Sequence, residues 1–219
     1  MVELIRKDIL LNSKTLMQLA AFAGIAILAF SRLESGMAFV VAWSMMIPYS
    51  YALMSCYTEE LNKGLAFCRS LPISASTIVW SKFASATVVT LASGAYLFVL
   101  GRLASYLGWL RPDPSLPFGA ALTLPWIAVF VIQGVFLLLF FAYGYKRAQS
   151  ITTMLPLLFL IPLVLPQPIR TKLSASITAL FGGTPDLRSI LPSLVALAFG
   201  IDVLLTWRAS KVFEAKDIP

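Results

Sequence analysis

SYALMSCYTEELNKGLAFCRSLPISASTIVWSKFASA, residues 50–86, decides how this chain folds. Two long apolar runs flank one short charged connector, TEELNKGLAFCRSLP at 58–72. A helix of a water-soluble protein hides one apolar stripe, whereas a helix that is apolar all round is buried in a large core or in a bilayer. The composition decides for the bilayer, with 59% of the 219 residues hydrophobic and only 12% charged. Roughly 20 helical residues cross a hydrocarbon core about 30 Å thick. Six stretches meet that length, at 14–30, 37–56, 77–101, 119–143, 150–166 and 187–207. The runs are continuous and not alternating, so they predict helices and not the strands of a barrel. The expected fold is all-α integral membrane, one transmembrane domain over 1–219.

Positively charged short loops stay cytoplasmic. Six spans place both termini on one side with eleven of the 17 basic residues, including Arg6, Lys7, Lys63, Arg69, Lys82, Lys146 and Arg147. The other side holds Arg32, Arg102, Arg111, Arg170, Lys172 and Arg188, so the termini are expected in the cytoplasm. The net charge of +7 is spread along helix ends, which fits anionic lipid head groups and not nucleic acid. Cys56 and Cys68 fall on the reduced cytoplasmic side, and no disulfide is expected. The charged start and first apolar run also resemble a secretory signal, with Ala29 and Ser31 near a would-be cleavage site; the first span is read as retained.

Residues 1–13 place Val2, Ile5, Ile9 and Leu10 on one helical face, with Glu3, Arg6, Lys7 and Asp8 largely elsewhere. They form either an amphipathic interfacial helix or a charged flank that orients the first span. In the connector, 57–73, Leu61, Leu65 and Cys68 recur at helical spacing while Glu59, Glu60, Lys63 and Arg69 are polar. A short helix along the membrane and a solvated loop both fit. Leu71-Pro72 ends any helix there, and Ser74 or Ser76 can cap the next one. Ala86, Thr90 and Gly94 form a stripe of small residues suited to close helix packing, beside Ser81 and Ser85. Pro125, Pro156, Pro162 and Pro192 interrupt the later spans. At 167–186, Ile169, Leu173, Ile177 and Leu180 suggest an outer interfacial helix ended by Gly182-Gly183.

Ionisable groups within a span are costly and mark candidate sites. Asp202 is the clear case, expected to pair with Lys146 or Arg147, and Gln133 is the other polar candidate, suited to interhelical hydrogen bonding. The chain has no histidine, which removes the commonest metal ligand and general base. It has no glycine-rich phosphate loop ending in Gly-Lys-Ser or Gly-Lys-Thr, so no metal or nucleotide cofactor is expected and catalysis is not.

LIRKDILL at 4–11 and EELNKGLAFCRSLPISASTIVWSKF at 59–83 resemble the six-span permease subunits of bacterial ATP-binding-cassette exporters, in the compact type without a large outer domain. In such permeases a Leu-Pro, a Val and a Lys tend to stand where Leu71-Pro72, Val79 and Lys82 stand here. The resemblance implies that the N-terminal helix, with Arg6, Lys7 and Asp8, and the first connector touch a separate ATPase. It makes the connector a coupling helix, with Glu59, Glu60, Lys63, Leu65, Phe67 and Arg69 docking into the ATPase and Leu71 and Pro72 setting the turn. It implies two ATPase subunits carrying ATP and Mg, a second copy of this permease or a related one, and a bacterial plasma membrane location. Plentiful Phe, Trp and Met point to hydrophobic or amphipathic cargo such as peptide toxins, antimicrobial peptides or drugs. An ion-coupled secondary carrier would need a midplane ion site and often inverted repeats, neither of which is visible. A non-transporting assembly or immunity subunit is the other alternative.

Overall fold

A computed structural model describes residues 1–30, 36–109, 118–153 and 187–215, and these are helical apart from short connections. The order is α1 Val2–Leu11, α2 Ser13–Phe30, α3 Gly36–Leu61, α4 Gly64–Ser70, α5 Ala75–Tyr106, α6 Phe118–Tyr143, α7 Tyr145–Thr152 and α8 Leu187–Glu214. The expected span at 150–166 and the outer segment at 167–186, with Pro156 and Pro162, lie outside the described residues apart from the end of α7.

Among the described residues three helices are long and apolar enough to cross a membrane: Ala75–Tyr106, Pro125–Tyr143 and Leu191–Glu214. A fourth candidate is α1 with α2, taken as one element bent by 59°. The bend falls at Asn12, which is buried and donates from Nδ2 to the Asp8 carbonyl at 2.9 Å, occupying an acceptor near the end of α1. At 1.5 Å per residue the 32 residues of α5 extend about 48 Å, longer than a hydrocarbon core. Its first turns can therefore lie at head-group depth. Ser74 caps α5, accepting from the Thr77 amide at 3.3 Å, one of the two caps expected.

Helices α3, α5, α6 and α8 form the bundle, with α6 against α8 the most extensive pairing. The larger core gathers Tyr51, Phe83, Phe136, Phe140, Phe141 and Phe213 around the ends of α3, α5, α6 and α8. A smaller one joins Ala23, Ile27, Val40, Ile47, Leu97 and Ala104. The stripe of small residues on α5 is buried, and Gly94 is its tightest point. A Cβ there would lie 1.5 Å from Cζ2 of Trp126 on α6, so only glycine lets the indole lie on the α5 backbone. Deeper in the bundle, Gln133 donates to the Pro48 carbonyl at 2.8 Å, and its Oε1 lies 2.9 Å from the Thr90 hydroxyl. One amide thus bridges α6, α3 and α5. Proline at 48 in α3, at 125 in α6 and at 192 in α8 is accommodated within each helix.

Candidate functional site

The connector is built from where its helices stop. Helix α3 runs through Glu59 and Glu60 to Leu61, and Lys63 then adopts the left-handed conformation, φ 53° and ψ 30°. That conformation costs a non-glycine residue roughly 1–2 kcal/mol and breaks the helix. Helix α4 follows from Gly64 to Ser70, and Leu71 leaves it extended, as a residue before proline must. The connector is helical in two pieces with a sharp turn between them, not one helix from 58 to 70.

Consecutive helical residues point about 100° apart. Glu59 and Glu60 consequently reach different neighbours. Glu59 turns inward, its side chain 7% exposed, with Oε1 2.9 Å from Lys7 Nζ of α1 and Oε2 3.3 Å from Lys82 Nζ of α5. Glu60 reaches the other way and accepts from the Tyr145 amide at 2.6 Å, at the start of α7. A carboxylate suits that place because the first amides of a helix are unsatisfied and its N-terminus is positive. Gly144, at φ 86°, makes the break between α6 and α7 that brings this amide to Glu60.

Lys82 is the centre of the buried cluster, its side chain 4% exposed. Its ammonium lies 2.8 Å from Ser55 Oγ, 3.1 Å from Asp8 Oδ2 and 3.3 Å from Glu59 Oε2. Lys7 is also 3.5 Å from Asp8 Oδ1 and 3.9 Å from Cys68 Sγ of α4. Two ammonium groups and two carboxylates balance, with Lys7 half-exposed at the edge, which makes the burial of Asp8, Glu59 and Lys82 tolerable. The cluster joins α1, α3, α4 and α5 at one point. Beside it, Arg69 of α4 stacks 4.7 Å from the Phe213 ring and donates from Nη2 to the Phe213 carbonyl, tying α4 to α8.

This geometry redistributes the residues singled out from the sequence. Asp8 is not on the polar surface of α1. It is the buried residue of that helix, while Val2 and Leu10 are 75% and 60% exposed, because the Lys82 ammonium draws the Asp8 face inward. Arg6 is on the surface, 4.0 Å from Glu3. In the connector, Glu59 is buried and Glu60 is engaged with α7, Leu65 packs on the larger core, and Arg69 is held by Phe213. Lys63, Phe67, Leu71 and Pro72 are exposed, together with Leu61. Asp202 is buried against Gly134 of α6, where a Cβ would fall 2.8 Å from Oδ1. It has no ion pair with any described residue, since α7 turns Lys146 and Arg147 out to the surface after the Gly144 break. The sequence marks Lys82 only as a family position and a cytoplasmic charge. The signal for its role was a lone lysine set inside an apolar helix.

A family model described as ABC-2 family transporter protein matches residues 3–205, which takes in Lys7, Asp8, the connector, Lys82 and Asp202. The chain belongs to the ABC-2 transporter family. It is therefore a multi-pass membrane protein and a permease of the ATP-binding-cassette class, a membrane component without an ATPase motif of its own that works with an ATP-binding-cassette partner. No curated protein and no solved structure matches this ABC-2 permease. In the permease the buried cluster sits where the N-terminal helix, the connector and the base of α5 meet, and the exposed residues of α4 lie on the far side of the connector from it.

Proposed function

We propose that the chain is the six-span half of an ATP-driven exporter, with both termini in the cytoplasm of a bacterial cell and α4 as its coupling helix. Two copies, or this chain and a related one, act with two ATPase subunits that carry ATP and Mg. Closure of the ATPase pair drives the coupling helices together and switches the permease between inward and outward access. The cargo is hydrophobic or amphipathic, such as a peptide toxin, an antimicrobial peptide or a drug.

The observation that carries this reading is the outward face of the connector. Leu61 and Phe67 are 67% and 66% exposed, with Leu71 and Lys63 beside them, on a segment whose other side is fastened by Glu59, Cys68 and Arg69. A firmly held short helix presenting an aromatic anchor is suited to a groove on a partner. Phe67 is the anchor, Leu61 and Leu71 its apolar surround, and Lys63 the rim charge.

Affinity purification of the detergent-solubilised chain from its native cells tests this. An ATP-binding-cassette ATPase should co-purify, and Phe67→Ala should weaken its binding by about 2 kcal/mol, some thirtyfold. Recovery of no ATPase, or an ATPase held equally by Phe67→Ala, would refute the docking assignment.

A further inference from the structure

We infer that Lys82 is a positioning residue: its ammonium locks α1, the coupling connector and the base of α5 into one rigid body, so that a push on α4 is passed on and not absorbed by the joints on either side of it. The inference rests on the proposed role of α4.

Helix α4 hangs between two joints. One is the left-handed Lys63 and the other is the extended Leu71 with Pro72. Backbone hydrogen bonding within the helix does not continue across either joint, so a force on Phe67 could rotate α4 without moving α3 or α5. What opposes that rotation is the cluster beneath it. Lysine offers three ammonium protons from a compact charge. Here three oxygens face it: Ser55 Oγ and Glu59 Oε2, one turn apart on α3, and Asp8 Oδ2 from α1, 74 residues away in sequence. Hydrogen bonds to Ser55 Oγ and Asp8 Oδ2, with the Glu59 carboxylate as an ion pair, hold the ammonium between two helices. Lys7, paired with Glu59 of α3, extends the lock to α4 through the Cys68 sulfur.

The cluster is poorly explained as a source of stability. Buried ion pairs roughly break even against apolar packing of the same volume, and what they can supply is a single geometry. Apolar side chains would fill this site while letting α1 and α4 slide. The charges forbid sliding of α1, since moving it strands a buried carboxylate or ammonium, and α4 is tied to them through the Cys68 sulfur. Arg69 on Phe213 and Glu60 on α7 add two lateral ties, to α8 and to α7.

The test is a distance measurement by pulsed electron paramagnetic resonance with spin labels at Arg6→Cys on α1 and Ser70→Cys on α4, both exposed positions. In lipid nanodiscs the labelled chain alone should give one narrow distribution. Lys82→Met should broaden it, and Glu59→Gln, which keeps Lys82 on Asp8 and Ser55, should broaden it less. In the complex with the ATPase, ATP should leave the distance unchanged in the otherwise native chain, whereas in Lys82→Met it should shift as α4 moves without α1. A distribution that stays narrow in Lys82→Met, or an α1 to α4 distance that shifts with ATP in the native chain, would overturn the inference. If Lys82→Met does not fold, Glu59→Gln decides, and a narrow distribution there overturns it equally. The nanodisc arm needs no ATPase, so failure of the coupling-helix reading is seen separately, as the absence of a co-purifying partner.

Discussion

Substituting Gly94 by alanine adds one methyl group at the tightest contact in the bundle. The new Cβ would lie 1.5, 2.3 and 2.4 Å from Cζ2, Cε2 and Cη2 of Trp126, three atoms of one rigid ring. Carbon atoms rest about 3.5–4.0 Å apart, so the indole and the α5 backbone must separate by about 2 Å. No flexible tip is available to swing aside, and overpacking of this kind costs about 1–3 kcal/mol, here at the upper end. Alanine returns about 1 kcal/mol through its better helix propensity. The net loss expected is therefore about 2 kcal/mol, or a fall in unfolding temperature of about 4–8 °C for a chain of this size. Gly200 on α8 provides the matched control, because a Cβ there meets nothing within 4 Å. Gly200→Ala should be neutral or slightly stabilising for the same propensity reason. The assay is thermal unfolding of the purified chain in detergent, followed by tryptophan fluorescence. Trp126→Phe should restore part of the loss in Gly94→Ala, since the smaller ring vacates the site. A Gly94→Ala chain as stable as Gly200→Ala would refute the close approach of α5 and α6.

The same assay should find that Gln133→Leu costs only about 1 kcal/mol, because two interhelical hydrogen bonds are lost and such bonds in membranes average about 0.6 kcal/mol each. Glu60→Ala should leave the bundle intact but make the backbone amides of α7 exchange about fivefold faster, the equivalent of the roughly 1 kcal/mol supplied by a cap. Neither Cys56 nor Cys68 should react with a maleimide in the folded chain, since both are buried and burial pushes the Cys68 thiol up, away from the reactive thiolate.

The helical membrane class, the capping serine at 74 and the small-residue stripe on α5 were legible because each is a local pattern: apolar run length, a hydroxyl ahead of a helix, spacing of four. The positions of α3 and α5 were legible too, although α3 runs five residues beyond the expected 37–56 and keeps both acids of the connector. The face of α1 was not legible. Its apolar periodicity favoured Val2, Ile5, Ile9 and Leu10, but Lys82 holds Asp8 inward, Ile9 alone of the four packs on the larger core, and Val2 and Leu10 are left exposed. In a bilayer the apolar face of a short helix does not by itself choose protein over lipid, so the buried charge decides. Asp202 failed for the opposite reason. Its expected partners were near in the sequence layout, and the glycine break at 144 carried them away.

The tie between Glu59 and the buried cluster changes what a charge reversal at the connector can establish. Were Glu59 and Glu60 to dock into the ATPase, as the family resemblance implies, reversing both charges should disturb docking while sparing the spans. In the structure Glu59→Lys would place a third ammonium beside Lys7 and Lys82, with only Asp8 to balance them, and Glu60→Lys would set a cation on the positive end of α7. Breaking a buried pair in this way costs about 3–5 kcal/mol before any partner is involved. Loss of the ATPase from that double variant would therefore follow whether or not the two acids touch it. Phe67 is free of this confusion, because its side chain is exposed and belongs to neither tie. The informative comparison is between Phe67→Ala and Glu59→Gln, assayed for ATPase binding and for the α1 to α4 distance in parallel. Docking through the outer face predicts that Phe67→Ala loses the ATPase and keeps the distance, whereas Glu59→Gln broadens the distance first and loses the ATPase only as the connector loosens. The reverse pattern would place the docking surface on the acids and leave the outer face to the lipid head groups.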